Sequence, residues 1–102
     1  MIEIKNLRNS YVCEPYDFRV DRRTVVGNPY PMRYESQRDM VCDMYEEYFK
    51  KAIVENVAFK KYIDTLIEAY KRYGKLRLFC WCAPKRCHAE TIKKYIEKEL
   101  SL

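Results

Sequence analysis

No stretch of this sequence approaches the roughly 20 consecutive apolar residues that a membrane-spanning helix needs. Its start, Met1-Ile2-Glu3-Ile4-Lys5-Asn6, lacks the basic-then-apolar layout of a secretion signal. Repeats, linkers and low-complexity segments are missing as well, so residues 1–102 are expected to form a single domain. The expectation is a soluble, cytoplasmic protein without membrane contact. Amides are scarce: Gln37 is the only glutamine, whereas Lys, Glu, Arg and Tyr are abundant, a usage that resembles that of hyperthermophiles. Trp81 is the only tryptophan and His88 the only histidine. The five cysteines are an odd number, so at least one thiol stays free or pairs between chains. An ordinary cytosol keeps thiols reduced, while hyperthermophiles use intracellular disulfides.

What is present is a globular composition, 48% hydrophobic and 15% aromatic. The net charge of +5 is a mild basic excess that favours acidic partners, phosphates or nucleic acid among them. Period-two alternation predicts strands over Ile2–Leu7 and Tyr11–Val20, with Asn9-Ser10 as the turn between them. The segment that follows is basic and irregular: Arg22, Arg23, then Gly27-Asn28-Pro29-Tyr30-Pro31, then Arg33. A helix is predicted from Ser36, with Asp39 completing a variant capping box. Met40, Met44, Tyr48 and Ala52, flanked by Val41, Tyr45 and Phe49, form an apolar stripe assigned to the core. A second helix carries Phe59, Ile63, Leu66, Ile67 and Tyr70 and ends at Gly74, its Lys71, Arg72 and Lys75 suiting the helix dipole. Leu76–Cys82 reads as a strand stopped by Ala83-Pro84, and the last helix runs from about Cys87 to Leu100. The order β-β-α-α-β-α describes an α/β domain with a small sheet of about three strands and three helices.

Chemistry concentrates in two loops. Cys80, Cys82, Cys87 and His88 place four soft, ionisable side chains within nine residues. If the strands ending near Val20 and Cys82 are parallel, these residues face the basic Gly-Asn-Pro loop across a crevice at the sheet edge. A catalytic reading makes Cys87 the reactive thiol, its pKa lowered by a helix N-terminus and by Lys85 and Arg86, with His88 as base or acid. A zinc site draws on the same donors but is not favoured, because Cys87 and His88 diverge by about 100° on a helix and the usual paired ligand spacing is absent. A disulfide such as Cys82–Cys87 is a third reading. A purely structural role, with buried thiols as small apolar groups, is the fourth. On the other loop, Gly27 is expected to supply a positive φ, and Arg22, Arg23 and Arg33 with Asn28 form a candidate phosphate cradle. Trp81 is expected to pack under a helix.

Together these residues resemble an uncharacterised family of small phage, viral and bacterial proteins, known only as a domain of unknown function. The likeness rests on Gly27, Asn28, Pro29 and Tyr30, on Tyr45, and on Leu78, Cys80, Trp81, Cys82, Pro84, Cys87, His88 and Ala89, and spans about residues 16–100. The chain departs from it at Asp21–Val26, where many members are glycine-rich. A second uncharacterised bacterial family has a similar strand-then-Cys-His layout. Neither resemblance implies an established reaction. Two functions are therefore carried forward. One is binding or acting on a nucleotide or nucleic acid through the Cys/His cluster facing the basic loop. The alternative is a non-enzymatic accessory protein that mediates protein–protein contact, with structural cysteines.

Overall fold

The computed structural model describes residues 1–102. Three strands, β1 (Ile2–Asn6), β2 (Asp17–Arg19) and β3 (Leu76–Cys80), form one sheet in the order β1-β3-β2. Both pairings are parallel: Ile4 lies opposite Leu78 on one side, and Phe18 opposite Leu78 on the other. The helices are α1 (Arg38–Glu55), α2 (Val57–Tyr73) and α3 (Ala89–Glu99), with a 3-10 turn at Glu35–Gln37 before α1. The order is the β-β-α-α-β-α expected of a small α/β domain.

The alternation along β3 sorts the two faces of the sheet. Leu76, Leu78 and Cys80 join the main core with Tyr45, Phe49, Phe59, Ile63, Leu66, Ile92 and Ile96 from the helices. Burying each large side chain of this set stabilises the fold by about 1.5–3 kcal/mol. Arg77 and Phe79 point the other way, where Arg77 pairs with Asp17 and lies over the rings of Tyr16 and Phe79. A single residue, Asn56, separates α1 from α2. Its N–H donates back to Ala52 and its Oδ1 accepts from the N–H of Phe59 at 3.1 Å, so it ends one helix and caps the next. Gly74, at φ 67°, closes α2 with its N–H on the Tyr70 carbonyl.

Four expectations need correction. The second strand is only Asp17–Arg19, because the buried Asp17 carboxylate accepts the N–H groups of Cys13 and Glu14 and folds the preceding residues into a turn. Helix α1 starts at Arg38, not Ser36, and its approach is held by Gln37, whose Oε1 accepts from the N–H of Arg33 and Tyr34. The buried stripe of α1 is Val41, Cys42, Tyr45, Phe49 and Ala52; Met40 and Met44 are 53% and 40% exposed. Rotating the helix this way turns Asp39, Asp43 and Glu46 toward Arg86, which bonds to all three. Helix α3 begins at Ala89, with Cys87 and His88 in the approach to it.

Candidate functional site

Because β2 and β3 are neighbouring parallel strands, the loops that follow them leave the same edge of the sheet. The loop after β2 is built by its own backbone. The Asp21 carbonyl accepts both the N–H and the hydroxyl of Thr24, and the Thr24 carbonyl accepts the N–H of Gly27. Gly27 thereby comes back against the start of the loop: a Cβ there would lie 2.5 Å from the Arg22 Cα and 2.6 Å from the Asp21 carbonyl oxygen. Close approach, and not the expected positive φ, is why this position is glycine; Gly74 is the glycine with left-handed geometry. Tyr45 of α1 donates its hydroxyl to the Val26 carbonyl at 2.7 Å and fixes the loop to the helix. The Asn28 Oδ1 accepts the N–H of Tyr30 at 2.9 Å, a side-chain turn that spans Pro29.

The loop after β3 is fastened at several points. Asn6, at the end of β1, donates its amide to the carbonyls of Trp81 and Ala83. Lys85 reaches Glu35, and Arg38 donates to the Arg86 carbonyl at 2.8 Å. Lys85 and Arg86, expected to act on the Cys87 thiol, are thus engaged by the acids of the 3-10 turn and α1. Trp81 does not pack under a helix. It is 52% exposed, and its indole N–H donates to the Asp21 carboxylate at 2.9 Å. That carboxylate is buried and also paired with Arg19.

Between the two loops lies a cavity of about 550 Å³. Of the residues singled out from the sequence, Arg22, Arg23, Asn28, Cys82, Cys87 and His88 line it. The others fall outside. Gly27 sits behind the wall, Cys80 is buried in the core, and Arg33 is exposed beside the 3-10 turn. Arg19, Asp21, Arg38 and Trp81 also line the cavity and were not named as site residues. Asp21 and Arg38 carry no local pattern that marks them, whereas Trp81 lies inside the cysteine motif itself.

A family described as a domain of unknown function, DUF4326, matches residues 4–98. The chain belongs to this family. No curated protein and no solved structure matches it. The DUF4326 match takes in both loops and all of the cavity wall.

In this DUF4326 domain the sulfurs converge, but differently from the readings made on spacing. The thiols of Cys80 and Cys87 touch at 3.3 Å, all five cysteines are free, and no Cys82–Cys87 disulfide is present. No group of three His, Cys, Asp or Glu side chains is disposed to hold a metal ion. Hydrogen bonds from the Cys80 and Cys87 thiols, helped by the Arg38 guanidinium, hold the Cys82 thiol well below its ordinary pKa despite burial. Contact with the other two sulfurs pushes Cys87 upward, and burial adds to this. The direction expected for Cys87 is therefore reversed: its thiol is raised, and it is Cys82 whose pKa is lowered. The N–H of Ala89, the first residue of α3, does bond to the Cys87 sulfur and opposes the shift, but the neighbouring sulfurs and burial outweigh it.

His88 is buried, and its Nε2 lies 2.5 Å from the Val20 carbonyl. A carbonyl only accepts, so Nε2 carries the proton and Nδ1 keeps its lone pair. Burial lowers the pKa of His88, opposed by that bond, and the ring is neutral near pH 7. Burial pushes Asp21 up, but the bonds from Arg19 and Trp81 outweigh it and keep the carboxylate ionised. The cavity thus presents a thiol of lowered pKa, a neutral imidazole, an amide, one neutralised carboxylate and an exposed arginine pair, of which Arg22 donates to the Tyr30 carbonyl at 2.8 Å.

Proposed function

We propose that the cavity binds a small phosphate-bearing ligand of the nucleotide class. One juxtaposition supports this above all: Arg22 and Arg23 from one loop and the half-exposed Trp81 from the other border the same hollow. Arginine forks match phosphate oxygens, and the indole offers a flat face for a base. A cavity of about 550 Å³ falls within the ~300–1,000 Å³ usual for small-molecule sites. It lies beyond the carboxyl ends of parallel strands, where open α/β sheets bind their ligands. Asn28, buried and with its Oδ1 already committed to Tyr30, retains its amide N–H groups as donors. A cytosolic setting belongs to the same proposal, because a reducing compartment suits five free cysteines.

The test is calorimetric titration of the full chain with nucleoside monophosphates and triphosphates, a nucleoside, inorganic phosphate and a short single-stranded oligonucleotide. At least one nucleotide should bind more tightly than both its nucleoside and phosphate alone. Arg22→Ala with Arg23→Ala should weaken it by roughly 100-fold or more, as expected when two charge-assisted contacts are lost. Equal affinity in the double variant, binding of the oligonucleotide alone, or no binding at all would each overturn the assignment.

A further inference from the structure

We propose that Cys82 and Cys87 form a thiol couple on the cavity wall that reduces hydroperoxides. The couple is a second activity and does not rest on nucleotide binding. Both residues line the cavity, and they differ in ways that suit different parts. Cys82 is half-buried, open to a small molecule entering from solvent, and has the Arg38 guanidinium beside it. Cys87 is buried, and its sulfur lies 3.3 Å from that of Cys80. Cys80 does not reach the cavity. Two thiols in contact beside a third on the same cavity wall are more than core packing requires, since alanine or valine side chains would fill the same space without an oxidisable group. Cys82 is the least buried of the three, and bonds from the Cys80 and Cys87 thiols with the Arg38 guanidinium lower its pKa, so it gives up its proton most readily.

The steps balance as follows. The Cys82 thiolate attacks the terminal oxygen of the hydroperoxide. A sulfur–oxygen bond forms, the oxygen–oxygen bond breaks, and the alkoxide leaves and takes a proton from solvent. Cys82 is now a sulfenic acid. The sulfur of Cys87 then attacks that of Cys82; its proton and the departing hydroxide become water. The two sulfurs lose two electrons in total, and the peroxide gains them as alcohol and water. A soluble dithiol returns the couple to its starting state by exchange. Cys13 lies exposed outside the cavity, and Cys42 lines it but is buried, its thiol pushed upward by burial and without a sulfur in contact. Neither is placed to take part.

The experiment exposes the reduced full chain to one equivalent of hydrogen peroxide or cumene hydroperoxide, followed by intact mass and peptide mapping of alkylated cysteines. The expected result is a mass lower by two hydrogens, a disulfide joining Cys82 to Cys87, and restoration by dithiothreitol. Cys82→Ser should lose both the disulfide and peroxide consumption. Cys87→Ser should consume one equivalent and leave a sulfenic acid at Cys82, captured by dimedone. Should Cys87→Ser fail to fold, the wild-type peptide map decides alone. A wild-type chain without a disulfide, a disulfide that omits Cys82, or wild-type peroxide consumption by Cys82→Ser overturns the proposal. None of these readouts involves a nucleotide, so this activity and nucleotide binding can fail separately.

Discussion

The indole nitrogen of Trp81 donates to the carboxylate of Asp21 across 2.9 Å, joining the loops after β2 and β3. Asp21 is buried and held from its other side by Arg19, so the indole is anchored to a fixed charge instead of a mobile one. The bond closes one end of the cavity and keeps an aromatic face at its rim.

Asp21→Asn is expected to loosen that end. The variant loses a charge-assisted bond to Arg19, worth about 2 kcal/mol, and Tm should fall by about 10 °C. As the only tryptophan, Trp81 reports on its own surroundings. Acrylamide should quench its fluorescence more strongly in the variant, and unchanged quenching would mean that the carboxylate does not position the indole.

Gly27→Ala and Gly74→Ala separate two reasons for glycine. At Gly74 a Cβ meets nothing within 4 Å, and the cost is that of a left-handed residue, roughly 1–2 kcal/mol. At Gly27 the Cβ meets backbone at 2.5 Å, which cannot rotate away, and the loop must move. Gly27→Ala should therefore abolish ligand binding and speed amide exchange over residues 21–28, whereas Gly74→Ala should only lower Tm. Equal effects on binding would place the importance of Gly27 elsewhere.

Tyr45→Phe removes the donor to the Val26 carbonyl and nothing else of size. A loss of about 1 kcal/mol is expected, with faster exchange at the Thr24 and Gly27 amides. Chemical denaturation of the two proteins in parallel measures the first, and exchange mass spectrometry the second.

Stability should fall steeply in acid, and Asp17 sets the window. Burial pushes its carboxyl up, but the Arg77 guanidinium and the N–H groups of Glu14 and Cys13 outweigh that and bring it to about 2. A carboxyl with a lowered folded pKa contributes stability that is complete above its unfolded value near 3.9 and is lost as pH falls through about 2. The contribution is about 2 kcal/mol. Asp17→Asn should be less stable than wild type at pH 7, and the difference should shrink between about pH 4 and pH 2. A gap that stays constant down to pH 2 would remove Asp17 from the account.

Much of the α/β architecture was legible in the sequence because periodicity is a local property. Leu76, Leu78 and Cys80 alternate with Arg77 and Phe79 in a way only a strand satisfies, and Phe59, Ile63 and Leu66 repeat at helical spacing. The register agrees as well, since Ile2 and Ile4 lie opposite Leu76 and Leu78 on the core side. The apolar stripe of α1 was less legible: Met40 and Met44 fit the repeat as well as Cys42 does, and the acids that bind Arg86 decide which side turns outward. The shortness of β2 is not legible in the sequence, because Tyr11 to Val20 alternates adequately, while the turn that shortens the strand depends on one carboxylate accepting two backbone N–H groups.

The sequence by itself determined the elements, their order, and the two stretches that carry unusual chemistry, Arg22–Arg33 and Cys80–His88. Tertiary structure alone decided that Asn28 and Cys87 look into one cavity, that Asp21 and Arg38 join them, that Arg33 does not, and that the lowered thiol is Cys82 and not Cys87. The physical reason is range. A strand or a helix is dictated by neighbours within a few residues, whereas the charge on a thiol depends on sulfurs and a guanidinium delivered by separate segments once the chain has closed around them.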